Sequence, residues 1–161
     1  MDNKQLAAAW ASRRPGKYKS GNGTMIVEDG CLYSYGKHHL VGVIVNNLAI
    51  INLSKVSHTT GRHCSLARQA AAAAGLRVVG VHNLTSMHRG PGFSAAAADD
   101  LQTAIRAVNE RRAKARSERV RDELLAEADR LIRDYSIAEK ALPDRSGAAL
   151  AKRELTSAVK W

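Results

Sequence analysis

The sequence predicts an α+β fold: a small antiparallel β-sheet built of hairpins with a packed helix, followed by a helical carboxyl-terminal appendage. Three observations predict it. Two turn dipeptides, Asp29-Gly30 and Asn46-Asn47, each separate a pair of apolar runs, the signature of a β-hairpin. An alanine-rich stretch from Thr59 to Ala74 ends at Gly75, a residue suited to a left-handed helix cap. Beyond residue 100, apolar side chains recur at helical spacing, at Leu101, Ile105 and Val108 and again from Val120 through Leu124, Ala128, Leu131, Tyr135 and Ala138 to Leu142.

In chain order, Asp2 to Ser12 forms a short helix with Leu6, Ala9 and Trp10 on one side, stopped by Arg13-Arg14-Pro15-Gly16. Lys17 to Gly23 reads as a flexible basic linker, with Tyr18 between two lysines where a base could stack beside a phosphate. Thr24–Glu28 and Cys31–Tyr35 make the first hairpin; Leu40–Val45 and Leu48–Leu53 make the second. The second hairpin is apolar without alternation, so both of its faces are expected to be covered. The helix over Thr59–Ala74 and a strand over Leu76–Val81 complete a β-β-β-β-α-β order. His82 to Gly92 is a loop, and Ser94 is placed to cap the next helix. The charged segment Arg111–Arg119 allows either one long helix or a break near Ser117; Pro143 ends that stretch and Ser146–Lys160 can form a last helix. The expected division is 1–17 as a helix and basic linker, 18–92 as a basic α+β domain, and 93–161 as the appendage, whose stripe suits internal packing or a homo-oligomer.

Charge placement narrows function more than charge size does. The chain has a formal net charge of +10. Residues 1–92 hold 11 Lys/Arg against 3 Asp/Glu, whereas residues 93–161 hold 14 against 12. No acidic residue occurs between Asp29 and Asp99, a segment that contains all six histidines. A fold made from it presents positive charge and favours a polyanion, nucleic acid above all, or an acidic protein surface. No run of 18 apolar residues is present, which excludes a spanning helix, and the amino terminus lacks the order of a secretion signal. The expected location is therefore the cytoplasm, that of a host cell if the protein is viral, with Cys31 and Cys64 reduced.

The most informative segment is Val56 to Cys64. Ser57, Thr59 and Thr60 can each cap the helix that follows, and a helix start leaves backbone N–H groups facing outward at the positive end of the dipole. With Arg62 and His63 added, the segment forms a seat for a phosphate. Lys17, Lys19, Lys37, Lys55 and Arg68 are the flanking cations expected to share that role.

Tyr33-Ser34-Tyr35-Gly36, an apolar strand ending Ile51-Asn52, and Lys55-Val56-Ser57-His58-Thr59-Thr60-Gly61-Arg62-His63 together resemble a small domain of bacteriophage and mobile-element proteins. That domain combines an aromatic-Ser-Tyr strand with a Ser-x-Thr-Thr-x-x-His helix start. The resemblance covers about forty of the 161 residues, and Val56 stands where the family usually has tyrosine. It implies a viral or mobile-element origin and groups Ser57, Thr59, Thr60 and His63 as a unit; it implies no activity.

Enzyme chemistry finds few footholds. No P-loop, G-x-G-x-x-G, H-E-x-x-H or G-x-S-x-G pattern occurs. Zinc ligands could come from Cys31, His38, His39, His58, His63 and Cys64, but C-x-x-C and H-x-x-x-H spacings are missing, so no metal and no cofactor is expected. The sequence favours a non-enzymatic nucleic-acid binder. Two alternatives remain open: an inhibitor of a host defence machine, of the anti-CRISPR kind, and a ribonuclease using His38 or His39 with His58 or His63 and Arg62.

Overall fold

A computed structural model describes residues 1–54, 56–85 and 95–142. It divides into two compact units, Met1–Thr85 and Ser86–Trp161. The first is an α+β unit with a six-stranded sheet in simple sequence order: β1 (Tyr18–Lys19), β2 (Met25–Glu28), β3 (Cys31–Ser34), β4 (His39–Val45), β5 (Leu48–Asn52) and β6 (Arg77–Val81). Neighbouring strands are antiparallel from β1 to β5. β6 runs parallel to β5 because α2 (His58–Ala73) carries the chain back between them.

Both predicted hairpins form. Asp29 and Gly30 take left-handed backbone angles (φ 50° and 74°), as does Asn46 (φ 53°), which is what a tight turn between right-twisting strands requires. Every residue of β5 is buried, in keeping with its unbroken apolar run. The register of β3 on β4 shifts between Leu32 and Tyr33, whose partners are Gly42 and Leu40. This bulge leaves Val41 unpaired yet fully buried.

Two sequence expectations change. Tyr18 and Lys19 are not linker: they pair with Val27 and Ile26 as an edge strand. Helix α1 (Asn3–Ala11) is not a segment outside the sheet domain, since Leu6, Ala7, Trp10 and Ala11 belong to its core together with Met25, Val27, Leu32, Val41, Ala49, Ile51, Ala67 and Ala71. Alanine supplies much of that core, which lets α1 and α2 lie close together on the sheet. Trp10 fills the remaining space over Gly42, where an added Cβ would meet the indole at 3.0 Å.

Asp2 caps α1 through a complete capping box with Gln5. Ser57 caps α2 by accepting from the Thr60 N–H at 3.2 Å, and Gly75 (φ 73°) follows its carboxyl end. Asn3 at the start of α1 reaches His63 in the first turns of α2, whereas Arg13 just past α1 and Arg77 just past α2 both bond to Asn47. The two helices therefore run in the same direction, with their amino ends at one end of the sheet and their carboxyl ends at the other.

The second unit contains α3 (Ala95–Lys114) and α4 (Glu118–Ala141), so the charged segment does interrupt the helix, with Ser117 at the amino end of α4. Val108, Leu124 and Ala128 form their shared core. Ser94, Pro143 and 146–160 lie outside the described residues. No helix of the described residues is long and apolar enough to cross a membrane.

Candidate functional site

At the amino end of α2, the segment Ser57–His63 divides into an outer and an inner set. Ser57, His58 and Arg62 are exposed; Thr60 and His63 are 4% and 2% exposed. The division follows helix geometry, because Thr60, His63, Ala67 and Ala71 form the i, i+3, i+4 stripe that faces the sheet. Ser57 Oγ and Thr60 Oγ1 lie 2.9 Å apart, so the two hydroxyls serve each other and the cap. Thr59 is half-buried beside them. A shallow groove of about 420 Å³ runs along the outer side of the helix, lined by Ser57, His58, Gly61, Arg62, Ser65, Leu66 and Gln69.

The inner set is a buried polar junction. His63 Nδ1 lies 2.7 Å from Ser34 Oγ on β3, and His63 Nε2 lies 3.1 Å from Asn3 Nδ2 on α1. Asn3 Nδ2 also donates to Thr24 Oγ1 at 3.0 Å, and the Tyr35 ring is centred 6.0 Å from the imidazole. With the Asn3 amide donating, Nε2 is the acceptor and Nδ1 carries the proton toward Ser34. The junction therefore holds a neutral imidazole. Burial pushes the His63 pKa below the ordinary histidine value, and the positive charge of Arg62 and the nearby His39 push it the same way. His39, whose Nε2 is buried without a hydrogen-bond partner, is also lowered by burial. Ser34 is 1% exposed, so this Ser–His contact has no open path to a substrate carbonyl. Its chemistry is structural: it satisfies polar groups of α1, α2 and β3 where they meet.

The flanking cations do not all gather at that helix end. Lys17 Nζ is 3.1 Å from Glu28 Oε1, and Lys37 pairs with the other oxygen of the same carboxylate. Together they hold the Glu28 carboxyl below its usual range, Lys37 first. Lys19 is exposed on the edge strand β1, and Arg68 is exposed on α2. Lys55 lies outside the described residues. Among the described residues, Lys4, Lys19, Arg62, Arg68 and Arg77 have no carboxylate partner.

Sequence reasoning missed two groups. Ser34 and Asn3, which hold His63, are separated from it by 29 and 60 residues, so no local pattern could announce them. Arg13 and Arg14 read as a helix stop, yet they stand with Arg77 at the carboxyl ends of both helices, where positive charge complements the dipoles. The Arg-Arg pair beside Tyr18 was the available signal.

Among the described residues, no group of three or more His, Cys, Asp or Glu side chains stands close enough to hold a metal ion. Neither Cys31 nor Cys64 forms a disulfide, and burial raises the Cys31 pKa. Comparison with protein families, with curated proteins and with solved structures found no match.

Proposed function

We propose that the unit Met1–Thr85 binds a polyanion, nucleic acid above all, as a non-enzymatic protein of bacteriophage or mobile-element origin. One observation carries the reading. The unit holds ten Lys/Arg against three Asp/Glu, and of those three carboxylates only Glu28 is ion-paired with a lysine or arginine among the described residues. Among the described residues, Lys4, Arg13, Arg14, Lys19, Arg62, Arg68 and Arg77 face water without a carboxylate partner, which favours an external anion and a binding energy dominated by released counterions. Arg62 beside the groove of α2, with the exposed Ser57 and His58, offers a donor set suited to a phosphate. The origin rests on the resemblance of Tyr33–Gly36 and Lys55–His63 to the phage and mobile-element domain.

The test is fluorescence anisotropy of labelled single- and double-stranded oligonucleotides across a salt series. Log affinity should fall linearly with log salt, with a slope of about −0.7 per neutralised phosphate on single strands and about −0.9 on duplex. Arg62→Ala should weaken binding and flatten the slope by about one contact. Salt-independent binding, or none, would overturn the reading. In that event, a protein captured from host lysate that survives nuclease treatment would favour the inhibitor alternative.

A further inference from the structure

The carboxyl ends of α1 and α2 carry a second feature, away from the Ser57–His63 segment. A cleft of about 440 Å³ lies there, within the range of about 300–1,000 Å³ typical of small-ligand sites. Trp10, Arg13, Arg14, Tyr18, Asp29 and Asn46 are among its walls. Trp10 contributes only an edge, being 1% exposed and fixed by its indole N–H donating to the Gly30 carbonyl at 2.8 Å. The Arg14 guanidinium sits over the Tyr18 ring, 5.7 Å from its centroid, and the Tyr18 hydroxyl donates to the Arg14 carbonyl at 3.2 Å. Arg13 Nη2 donates to Asn47 Oδ1 at 3.1 Å, a neutral partner that leaves its charge uncompensated. Neither arginine is ion-paired, although Asp29 shares the cleft.

The backbone around this cleft is unusual. Of ten residues with left-handed backbone among the described residues, five line it: Arg13, Gly16, Asp29, Gly30 and Asn46. Four of them are residue types that tolerate this conformation. Arg13 (φ 58°) is not: it occupies the position after a helix cap where glycine is the common choice. A long cationic side chain is thus held in a disfavoured conformation at the rim of a cleft, the pattern expected when strain serves a site.

We infer that this cleft seats one nucleotide of a single-stranded nucleic acid, its phosphate on the guanidiniums of Arg13 and Arg14 and its base against Tyr18 and the edge of Trp10. At about 440 Å³ the cleft is of a size to take one base and its phosphate. Planar guanidiniums match phosphate oxygens, and an aromatic beside them accepts a base of any sequence. This inference rests on the nucleic-acid reading and names the strand state and the site.

The experiment uses the full chain with Trp161→Phe as background, so that Trp10 is the sole indole. A twelve-residue oligothymidylate is titrated while Trp10 fluorescence and anisotropy are followed, with a duplex of equal length in parallel. The single strand should change Trp10 emission and bind more tightly than the duplex. The double variant Arg13→Ala/Arg14→Ala should weaken single-strand binding about tenfold or more, the loss of charge-assisted phosphate bonds. Arg13→Gly is the decisive variant, because it relieves backbone strain while removing the cation. It should raise Tm by a few degrees yet weaken single-strand binding several-fold. A purely structural Arg13 would not separate the two readouts. If the double variant binds the single strand within twofold of the parent, the cleft assignment is overturned while the nucleic-acid reading stands. If the parent binds neither strand form, both fall.

Discussion

The two units of this chain handle charge in opposite ways. The sheet unit has ten cations and three carboxylates, and it spends one carboxylate, Glu28, on two lysines. The helical unit, residues 86–161, has fifteen cations and twelve carboxylates. There Arg111 pairs with Glu127 at 3.3 Å and Arg119 with Glu123 at 3.5 Å, the second within one helix at i, i+4 spacing. A near-balanced surface of this kind is its own counterion. An unbalanced one seeks its counterion outside. On the polyanion reading proposed above, the contrast favours the first unit for partner binding and the second for packing.

The largest expected effect breaks the sheet unit itself. Trp10→Ala removes the biggest buried side chain of a core otherwise rich in alanine, and leaves the Gly30 carbonyl with only the longer bond from the Ile44 N–H at 3.3 Å. A loss of about 3–5 kcal/mol is expected in urea unfolding. Leu124→Ala, in the smaller α3–α4 core, should lose about 2–3 kcal/mol. Equal losses would mean that the two cores are not built differently. Next in size is His63→Ala, which takes the imidazole partner from the buried Ser34 hydroxyl, leaves Asn3 with Thr24 alone, and should lose about 1–3 kcal/mol.

The same junction predicts how stability depends on pH. His63 and His39 have depressed pKa values in the folded chain, so the unfolded chain binds protons first as pH falls. Their contribution is complete above the unfolded histidine value of about 6.5 and is lost as pH falls through the depressed folded values. Protonation places charge on an imidazole that Arg62 and His39 oppose, that Ser34, Asn3, Thr24 and Tyr35 surround without a carboxylate, and whose Nε2 could then no longer accept from Asn3. Between pH 7 and 5 the slope should approach about 1.4 kcal/mol per pH unit per histidine at most. His63→Ala should flatten it in a pH series of urea titrations; an unchanged slope would place the titration elsewhere.

How much of this was legible in sequence depends on distance along the chain. Both hairpins and the α2 span were readable because turn residues, caps and periodicity act over a few positions, whereas the charged segment before Ser117 left one long helix and a break equally open. The edge strand Tyr18–Lys19 was not, since two residues carry no periodicity and only the register with Val27 and Ile26 makes them a strand. Nor was the core role of α1, whose short apolar side gains meaning only opposite Gly42. At the candidate site, the cap and the exposed Arg62 followed from local pattern. The burial of His63 and the capture of Lys17 and Lys37 by Glu28 depend on strands that meet only in the fold.

Glu28→Gln sharpens the charge comparison. The Lys17 and Lys37 side chains are 64% and 57% exposed, so these ion pairs contribute little to stability. Removing the carboxylate frees two ammonium groups and adds one unit of net positive charge. Oligonucleotide affinity at low salt should rise about two- to fivefold and the salt slope should steepen by one or two contacts. Weaker binding would show that the lysines were positioned, not occupied, by Glu28.

The smallest expected effect is the control on which the comparison stands. Arg119 and Glu123 are 84% and 64% exposed in their side chains, and a pair of this type on a helix contributes about 0.3–0.5 kcal/mol. Arg119→Ala removes the same formal charge from the chain as Arg62→Ala does. If polyanion binding responds to net charge alone, the two variants should weaken oligonucleotide binding equally. If it responds to uncompensated charge on the sheet unit, Arg119→Ala should leave Kd within about twofold and the salt slope unchanged, because Glu123 already neutralises that guanidinium and no phosphate contact is lost. Parallel titrations of the two variants at one ionic strength decide between a diffuse field and a localised site.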